Sequence, residues 1–173
     1  DTSPGVIYFG SRPISDVRNY GLLSFADVVV KSSNVGASKI SLALGPERLG
    51  RYVRRFGFGQ TISRDFPGES RGIVHDPSRL TDSALASVSM GYNISVTPLQ
   101  MAAAMSAVAN GGELIEPRLV RALLSEEGRR EVPRRVIRRA ITPETAAAMT
   151  GILEDVVTRG TARAAELAGY TVA

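Results

Sequence analysis

Three consecutive polar residues, Ser32, Ser33 and Asn34 (the 32–34 triplet), carry side chains whose types and spacing could do chemistry. A hydroxyl can donate and accept a hydrogen bond at once, and a carboxamide offers a donor and an acceptor that match a peptide bond. The pattern alone is weak, because a serine two residues before an asparagine arises by chance roughly once in two or three chains of this size. Simple helix capping by the same residues is the alternative.

The composition restricts what other chemistry the chain could do. Cysteine is absent, which removes thiol nucleophiles, disulfides and thiolate metal sites. The single histidine, His75, cannot form a multi-histidine metal site, and its polar surroundings predict a solvated loop residue. Hydroxyl, carboxylate and amine chemistry therefore remain.

Capping signals predict that the 32–34 triplet lies between two helices. Ser24 and Asp27 fit a capping box that starts a short helix ending near Lys31. The side chains of the triplet compete for backbone hydrogen bonds and so favour a turn there. A second helix is predicted over residues 35–44, and Pro46 opens a third.

The best helix start in the chain is Thr97, which is followed by proline at the first helical position and by Gln100 completing a capping box. This helix is predicted to stop at Asn110, before two glycines. Because nothing in it is charged, we expect it to be the most buried helix of the chain. Met101 and Met105 are accordingly predicted to fill the core.

The remaining segments give weaker signals. Residues 57–81 are rich in glycine, proline and charge, which predicts a long irregular excursion. Residues 114–124 could form a hairpin or an edge strand. Thr142 caps a final long helix, a short helical turn is predicted over residues 161–167, and residues 169–173 resemble the opening of a strand.

The charge pattern permits a nucleic-acid-binding function but does not favour it. Formal net charge is +4, and the basic residues cluster only over residues 129–139. Glu126, Glu127 and Glu131 dilute that cluster, and no stacking aromatics interleave it. We therefore interpret residues 129–139 as a solvated connector, with a nucleic-acid patch as the alternative.

The triplet belongs to a spaced series of segments. They are Lys31-Ser32-Ser33-Asn34-Val35-Gly36, Phe56-Gly57-Phe58-Gly59, Pro67-Gly68-Glu69, Ser89-Met90-Gly91-Tyr92-Asn93-Ile94-Ser95-Val96-Thr97-Pro98-Leu99-Gln100 and Ala109-Asn110-Gly111-Gly112. Together they closely resemble the transpeptidase domain of class B penicillin-binding proteins, over residues 5–173. Asn93 departs from the glycine common in the family, at a turn where asparagine also tolerates left-handed backbone. The form of the triplet looks more like the division-specific branch than the elongation-specific one.

The resemblance implies three motifs: S-x-x-K with the acylated serine, S-x-N, and K-T-G on a strand. Only S-x-N is present, since no serine here has a lysine three residues on. The resemblance implies that the Ser32 hydroxyl would help to shuttle a proton to the leaving amine. It implies that the Asn34 amide would hold the donor peptide or a β-lactam. Ser33 would be a spacer, turned away or capping the next helix. We expect residues 1–173 to be a fragment of one transpeptidase domain, lacking the upstream S-x-x-K segment and the downstream K-T-G strand.

The resulting prediction is a helix-rich α+β chain, a partial penicillin-binding or serine β-lactamase-like transpeptidase domain. The intact protein would be a serine-type D,D-transpeptidase that cross-links peptidoglycan stem peptides and binds β-lactams, with divisome proteins as partners. It would need no metal or organic cofactor. It would lie at the extracytoplasmic face of the bacterial cytoplasmic membrane, anchored by a helix upstream of these residues. The alternatives are a β-lactamase or penicillin-sensing domain of the same fold and, from a different class, a basic nucleic-acid-binding module.

Overall fold

The computed structural model describes all residues from 1 to 173. Its helices are α1 (Phe25–Val30), α2 (Asn34–Leu44), α3 (Pro46–Arg55), α4 (Asp82–Ser89), α5 (Pro98–Ala109) and α6 (Pro143–Thr158). Its strands are β1 (Val6–Phe9), β2 (Arg12–Ser15), β3 (Glu113–Ile115), β4 (Ala122–Ser125), β5 (Gly128–Glu131) and β6 (Val136–Arg139). The helix-rich α+β class predicted from the sequence is confirmed. None of the helices combines the length and the apolar character that crossing a membrane requires.

The chain divides into two compact units. The first comprises residues 1–50, 75–94 and 148–173, and the second comprises residues 51–74 and 95–147. The 32–34 triplet lies in the first unit.

In the first unit, helix α2 packs against α1, α4 and strand β2. Strands β1 and β2 form an antiparallel hairpin in which Ile7 pairs with Ile14. Val30 and Val35, which flank the triplet on either side, are both fully buried, and so is Ala86 of α4. Burial of apolar residues on both sides of the triplet fixes its backbone within this core.

In the second unit, helix α5 packs against β3, and β3 pairs with β6 in an antiparallel ladder. Strands β4 and β5 form a separate antiparallel hairpin. The core of this unit is built on Ile62, Ala103 and Leu114.

Several sequence predictions about helix ends are confirmed. Thr97 Oγ1 accepts a hydrogen bond from Gln100 N at 3.1 Å, and Gln100 Oε1 accepts one from Thr97 N at 3.0 Å, which completes the capping box. Ser24 caps α1 by accepting from Asp27 N at 3.0 Å, but the Asp27 carboxylate accepts from Ser24 Oγ at 2.8 Å instead of from the Ser24 backbone, so only half of that predicted capping box forms. Asn93 adopts φ 58°, the left-handed conformation expected where the family has glycine.

The prediction that α5 is the most buried helix is wrong. Met101 and Met105 are each 47% exposed, so neither fills a core. The buried residues of α5 are Gln100, Ala103, Ala104 and Ala107, which lie on one side of the helix. An uncharged sequence permits burial on every side but does not supply a neighbour on every side, and here the methionine side has none.

Four other regions differ from the sequence prediction. Residues 129–139 are not a connector, because they contain strand β6 and most of β5. Residues 169–173 are not a strand, since they pair with no other segment. The β1–β2 hairpin and helix α4 were not predicted. The hairpin did carry a signal, a two-residue Gly-Ser connection between Phe9 and Arg12.

Candidate functional site

The 32–34 triplet forms a tight turn between α1 and α2. Lys31 ends α1 with helical backbone angles, and Ser32 then adopts φ 51°. Ser33 returns to extended backbone as the N-cap of α2, and Asn34 is the first residue of that helix. Ser32 and Asn93 are the residues other than glycine with positive φ. A left-handed serine costs about 1 kcal/mol or more, and such residues persist where their surroundings over-determine them, often at functional sites.

Ser33 is a structural residue of the turn. It is 2% exposed, and its Oγ accepts a hydrogen bond from Gly36 N at 2.9 Å. The same hydroxyl donates to Asp16 Oδ2 at 2.7 Å, while Asp16 Oδ1 accepts from Val35 N at 3.0 Å. One carboxylate therefore holds both the N-cap side chain and the first turn of α2. The capping role of Ser33 was predicted from the sequence. The contact with Asp16 was not, because nothing near that residue in the sequence signals it.

Ser32 and Asn34 are exposed on either side of this buried serine. Ser32 Oγ lies 3.2 Å from Thr161 Oγ1, and either hydroxyl could be the donor. Asn34 Nδ2 donates to the Ser15 carbonyl at 3.1 Å. The predicted placement at a helix-to-helix junction is thus confirmed. The two side chains hydrogen-bond to different segments, and their opening onto a common groove stays a prediction.

Lys31 does not hydrogen-bond to Ser32. Its Nζ donates to the Arg159 carbonyl at 3.0 Å. The Arg159 guanidinium in turn donates to Asp27 Oδ1 at 2.7 Å and to Asp155 Oδ2 at 2.8 Å. The hydrogen bond from Arg159, helped by one from Ser24, lowers the pKa of Asp27. These bonds tie the residues after α6 to both ends of α1.

The backbone at Gly160 also lies close to the end of α1. A Cβ built on Gly160 would lie 2.5 Å from the Val30 carbonyl oxygen, a distance that real Cβ atoms do not reach. The absence of a side chain at Gly160 therefore lets residues 159–161 lie directly against the end of α1. Nothing near Gly160 in the sequence predicted this contact.

The geometry defines what the triplet can do chemically. The hydroxyl of Ser32 can donate, accept or relay a proton, and Asn34 can hold an amide through its free acceptor and second N–H. No carboxylate, amine or imidazole is hydrogen-bonded to Ser32, so it is not paired with a base that would make it a nucleophile. No three or more His, Asp or Glu side chains are grouped to hold a metal ion. His75 is exposed, as predicted.

The arginines of residues 129–139 are largely paired with glutamates. The ion pairs are Arg129–Glu131, Arg134–Glu113, Arg135–Glu116 and Arg139–Glu113. These pairs occupy guanidinium groups that a phosphate backbone would need. The fold therefore argues further against the nucleic-acid-binding alternative.

Comparison with known families gives one consistent result. The family described as "Penicillin binding protein transpeptidase domain" matches residues 2–173. The chain is 34% identical to penicillin-binding protein PbpB of Mycolicibacterium smegmatis, over 98% of this chain and 28% of that protein. It is 33% identical to a probable peptidoglycan D,D-transpeptidase, PbpC, of Pseudomonas aeruginosa, over 99% of this chain and 29% of that protein. The chain thus spans less than a third of these curated relatives.

Solved structures show the same similarity. Penicillin-binding protein 3 from Mycobacterium tuberculosis, complexed with ampicillin, superposes with a TM-score of 0.85 at 35% identity, covering 96% of this chain and 39% of that one. The D,D-transpeptidase domain of a peptidoglycan glycosyltransferase from Eggerthella lenta gives a TM-score of 0.88 at 27% identity, covering 99% and 46%. The predicted resemblance is therefore confirmed at the level of fold and sequence.

Proposed function

The chain belongs to the penicillin-binding protein transpeptidase domain family, and we propose that it is part of a peptidoglycan D,D-transpeptidase. The longer protein would cross-link stem peptides through an acyl-serine intermediate and would bind β-lactams at the same site. The observation that carries this proposal is the turn at the 32–34 triplet. It presents the serine and asparagine of S-x-N on a buried, hydrogen-bonded support.

Ser32 is proposed as the proton relay of the reaction. Its hydroxyl is exposed, and a hydroxyl can take a proton from one group while giving its own to another. In the acylation step, the Ser32 proton would pass to the amine that leaves the donor peptide. A second group of the complete site would then restore that proton to Ser32.

Asn34 is proposed to hold the substrate. One N–H of its carboxamide is engaged by the Ser15 carbonyl at 3.1 Å, which fixes the plane of the group. Its Oδ1 and its second N–H remain available to pair with a peptide bond of the donor strand or with the side-chain amide of a β-lactam. Because Asn34 is the first residue of α2, it is carried on a rigid element.

We propose that the acylated serine with its lysine, and the K-T-G strand, belong to other parts of the longer protein. The sequence contains no S-x-x-K, which supports this division of the site. The longer protein is proposed to act at the extracytoplasmic face of the cytoplasmic membrane, since peptidoglycan lies there. Division proteins are proposed as its partners, on the form of the triplet and on 31% identity to the peptidoglycan D,D-transpeptidase FtsI of Escherichia coli.

Labelling of the longer protein with a fluorescent penicillin tests this function. We expect a stoichiometric covalent band that persists on a denaturing gel, and slower labelling in Ser32→Ala and Asn34→Ala. Ser106→Ala is the control, because Ser106 is exposed on α5. A folded wild-type protein that is not labelled would contradict the proposal, as would labelling of Ser32→Ala at the wild-type rate. Rapid turnover of the penicillin would instead identify a β-lactamase.

A further inference from the structure

The segment 159–161, which follows α6, contacts the end of α1 and Ser32 through three consecutive residues. The Arg159 carbonyl accepts from Lys31 Nζ, and the backbone at Gly160 lies against the Val30 carbonyl. Thr161 then places its Oγ1 3.2 Å from Ser32 Oγ. Each contact is to a different residue of the stretch 30–32, so three separate contacts hold the segment against this part of the chain.

The hydrogen bond between Ser32 Oγ and Thr161 Oγ1 affects how Ser32 can relay a proton. Ser32 Oγ carries one proton and two acceptor lone pairs, and its hydrogen rotates freely unless a neighbour fixes it. Thr161 supplies the hydrogen bond that the Ser32 side chain makes. If Thr161 donates, one acceptor site of Ser32 is filled and the Ser32 proton is directed away from Thr161, toward the open side of the turn.

We propose that Thr161 is a positioning residue for Ser32, donating to its Oγ so that the Ser32 proton is available for transfer. The inference rests on the proposed function and adds a residue that lies outside the 32–34 triplet. Thr161 would not touch the substrate. It acts only through the orientation of the Ser32 hydroxyl.

Two properties suit Thr161 to this role. Threonine is β-branched, so fewer χ1 rotamers are open to it than to serine and its hydroxyl is held in place more firmly. The backbone on its N-terminal side is fixed by the Lys31 and Val30 contacts, which do not depend on the Thr161 side chain.

Thr161 is also exposed, so loss of its hydroxyl leaves no buried polar group unpaired. An effect of this hydroxyl on the fold is therefore expected to be small.

Substitution of Thr161 in the longer protein separates positioning from stability. Thr161→Val removes the hydroxyl at nearly constant shape, and Thr161→Ser restores it. Thr158→Val is the matched control, because Thr158 is an exposed threonine at the end of α6, three residues before Thr161. We expect Thr161→Val to slow acylation by penicillin roughly 5- to 20-fold, with an unchanged melting temperature, whereas Thr161→Ser and Thr158→Val stay within about twofold of wild type.

The double variant Ser32→Ala/Thr161→Val shows whether Thr161 acts through Ser32. We expect it to acylate at the rate of Ser32→Ala alone. Wild-type acylation by Thr161→Val, or an equal further slowing by Thr161→Val in the Ser32→Ala background, would overturn the inference while the proposed function stands. If Thr161→Val is unstable, Thr161→Ala replaces it with the same expectations. A folded wild type that penicillin does not label would overturn the proposed function, and this inference with it.

Discussion

Asp16 Oδ2 accepts a 2.7 Å hydrogen bond from Ser33 Oγ, and this bond links the loop after β2 to the N-cap of α2. The same carboxylate accepts from Val35 N at 3.0 Å. Ser33 lies between the two exposed residues of the triplet, so the backbone of both depends on this carboxylate. Asp16 is therefore a structural support of the candidate site, although it belongs to no motif.

Asp16→Ala should destabilise the protein by about 1–3 kcal/mol, because it leaves the buried Ser33 hydroxyl and the Val35 N–H without their acceptor. Urea unfolding at neutral pH measures this loss. Glu126→Ala is the control, since Glu126 is an exposed acidic residue in the turn between β4 and β5. An Asp16→Ala variant as stable as Glu126→Ala would show that the carboxylate contributes nothing to the turn.

The capping box of α5 gives two substitutions of different severity. Thr97→Ala removes a helix cap and should lower the free energy of unfolding by about 1 kcal/mol.

Gln100 is 0% exposed, and its Nε2 donates to the carbonyls of Gln60 at 2.9 Å and Arg71 at 3.0 Å. Gln100→Glu should cost at least about 2 kcal/mol at neutral pH, because a carboxylate can donate to neither carbonyl.

The loss of stability in Gln100→Glu should depend on pH. When the carboxyl group introduced by Gln100→Glu is protonated, it regains one donor, so the loss of stability should be smaller at about pH 4 than at about pH 7. Chemical unfolding at both pH values measures the difference, with Ser106→Ala as the control from the exposed side of α5. A loss that is independent of pH would contradict the assignment of the two donor bonds.

Glu116 should make the stability of the protein depend on acid pH. Its side chain is 12% exposed, and the hydrogen bond from Arg64, with further help from Arg135, lowers its pKa. A carboxyl whose pKa is lower in the folded than in the unfolded state contributes stability above its ordinary pKa. That contribution is lost as the pH falls through the folded pKa.

Glu116→Gln should therefore flatten the decline of stability between about pH 5 and about pH 3. Unfolding free energies across this range compare the variant with wild type. Glu126→Gln serves as the matched control, because it changes an exposed glutamate in the same way. Parallel curves for wild type and Glu116→Gln would rule out a role for the Arg64 and Arg135 contacts in acid stability.

A polypeptide of these 173 residues alone should not be acylated by penicillin, even when folded. Acylation needs a nucleophile with a base beside it, and the structure gives Ser32 a threonine hydroxyl as its partner instead. Lys31, the nearest amine in sequence, is engaged by the Arg159 carbonyl. Incubation with a fluorescent penicillin and a denaturing gel tests this, and a stoichiometric band on the chain would mean that the nucleophile has been misassigned.

The parts of the fold that depend on local chemistry were predictable from the sequence. Caps such as Thr97 and Ser33 act within three residues of their partners, so the sequence alone specifies them. The position of the triplet between two helices follows from the same local signals. The family resemblance added the proposed roles of Ser32 and Asn34, which capping chemistry could not supply.

The contacts that support the triplet were not predictable, because they join residues far apart in the sequence. Asp16 is 17 residues from Ser33, and Thr161 is 129 residues from Ser32. The prediction that α5 is buried on every side was wrong for a related reason. A run of uncharged residues tells which environments a helix tolerates, whereas burial depends on which segments the chain brings against it.

Met101 and Met105 are one helical turn apart on the exposed side of α5, and this makes their sulfur atoms accessible to oxidants. Dilute hydrogen peroxide should convert both thioethers to sulfoxides in a polypeptide of these residues. In the longer protein, a segment or partner resting on this side of α5 would shield them. The rate of oxygen uptake at the two methionines, read by mass spectrometry, therefore reports whether that side is covered.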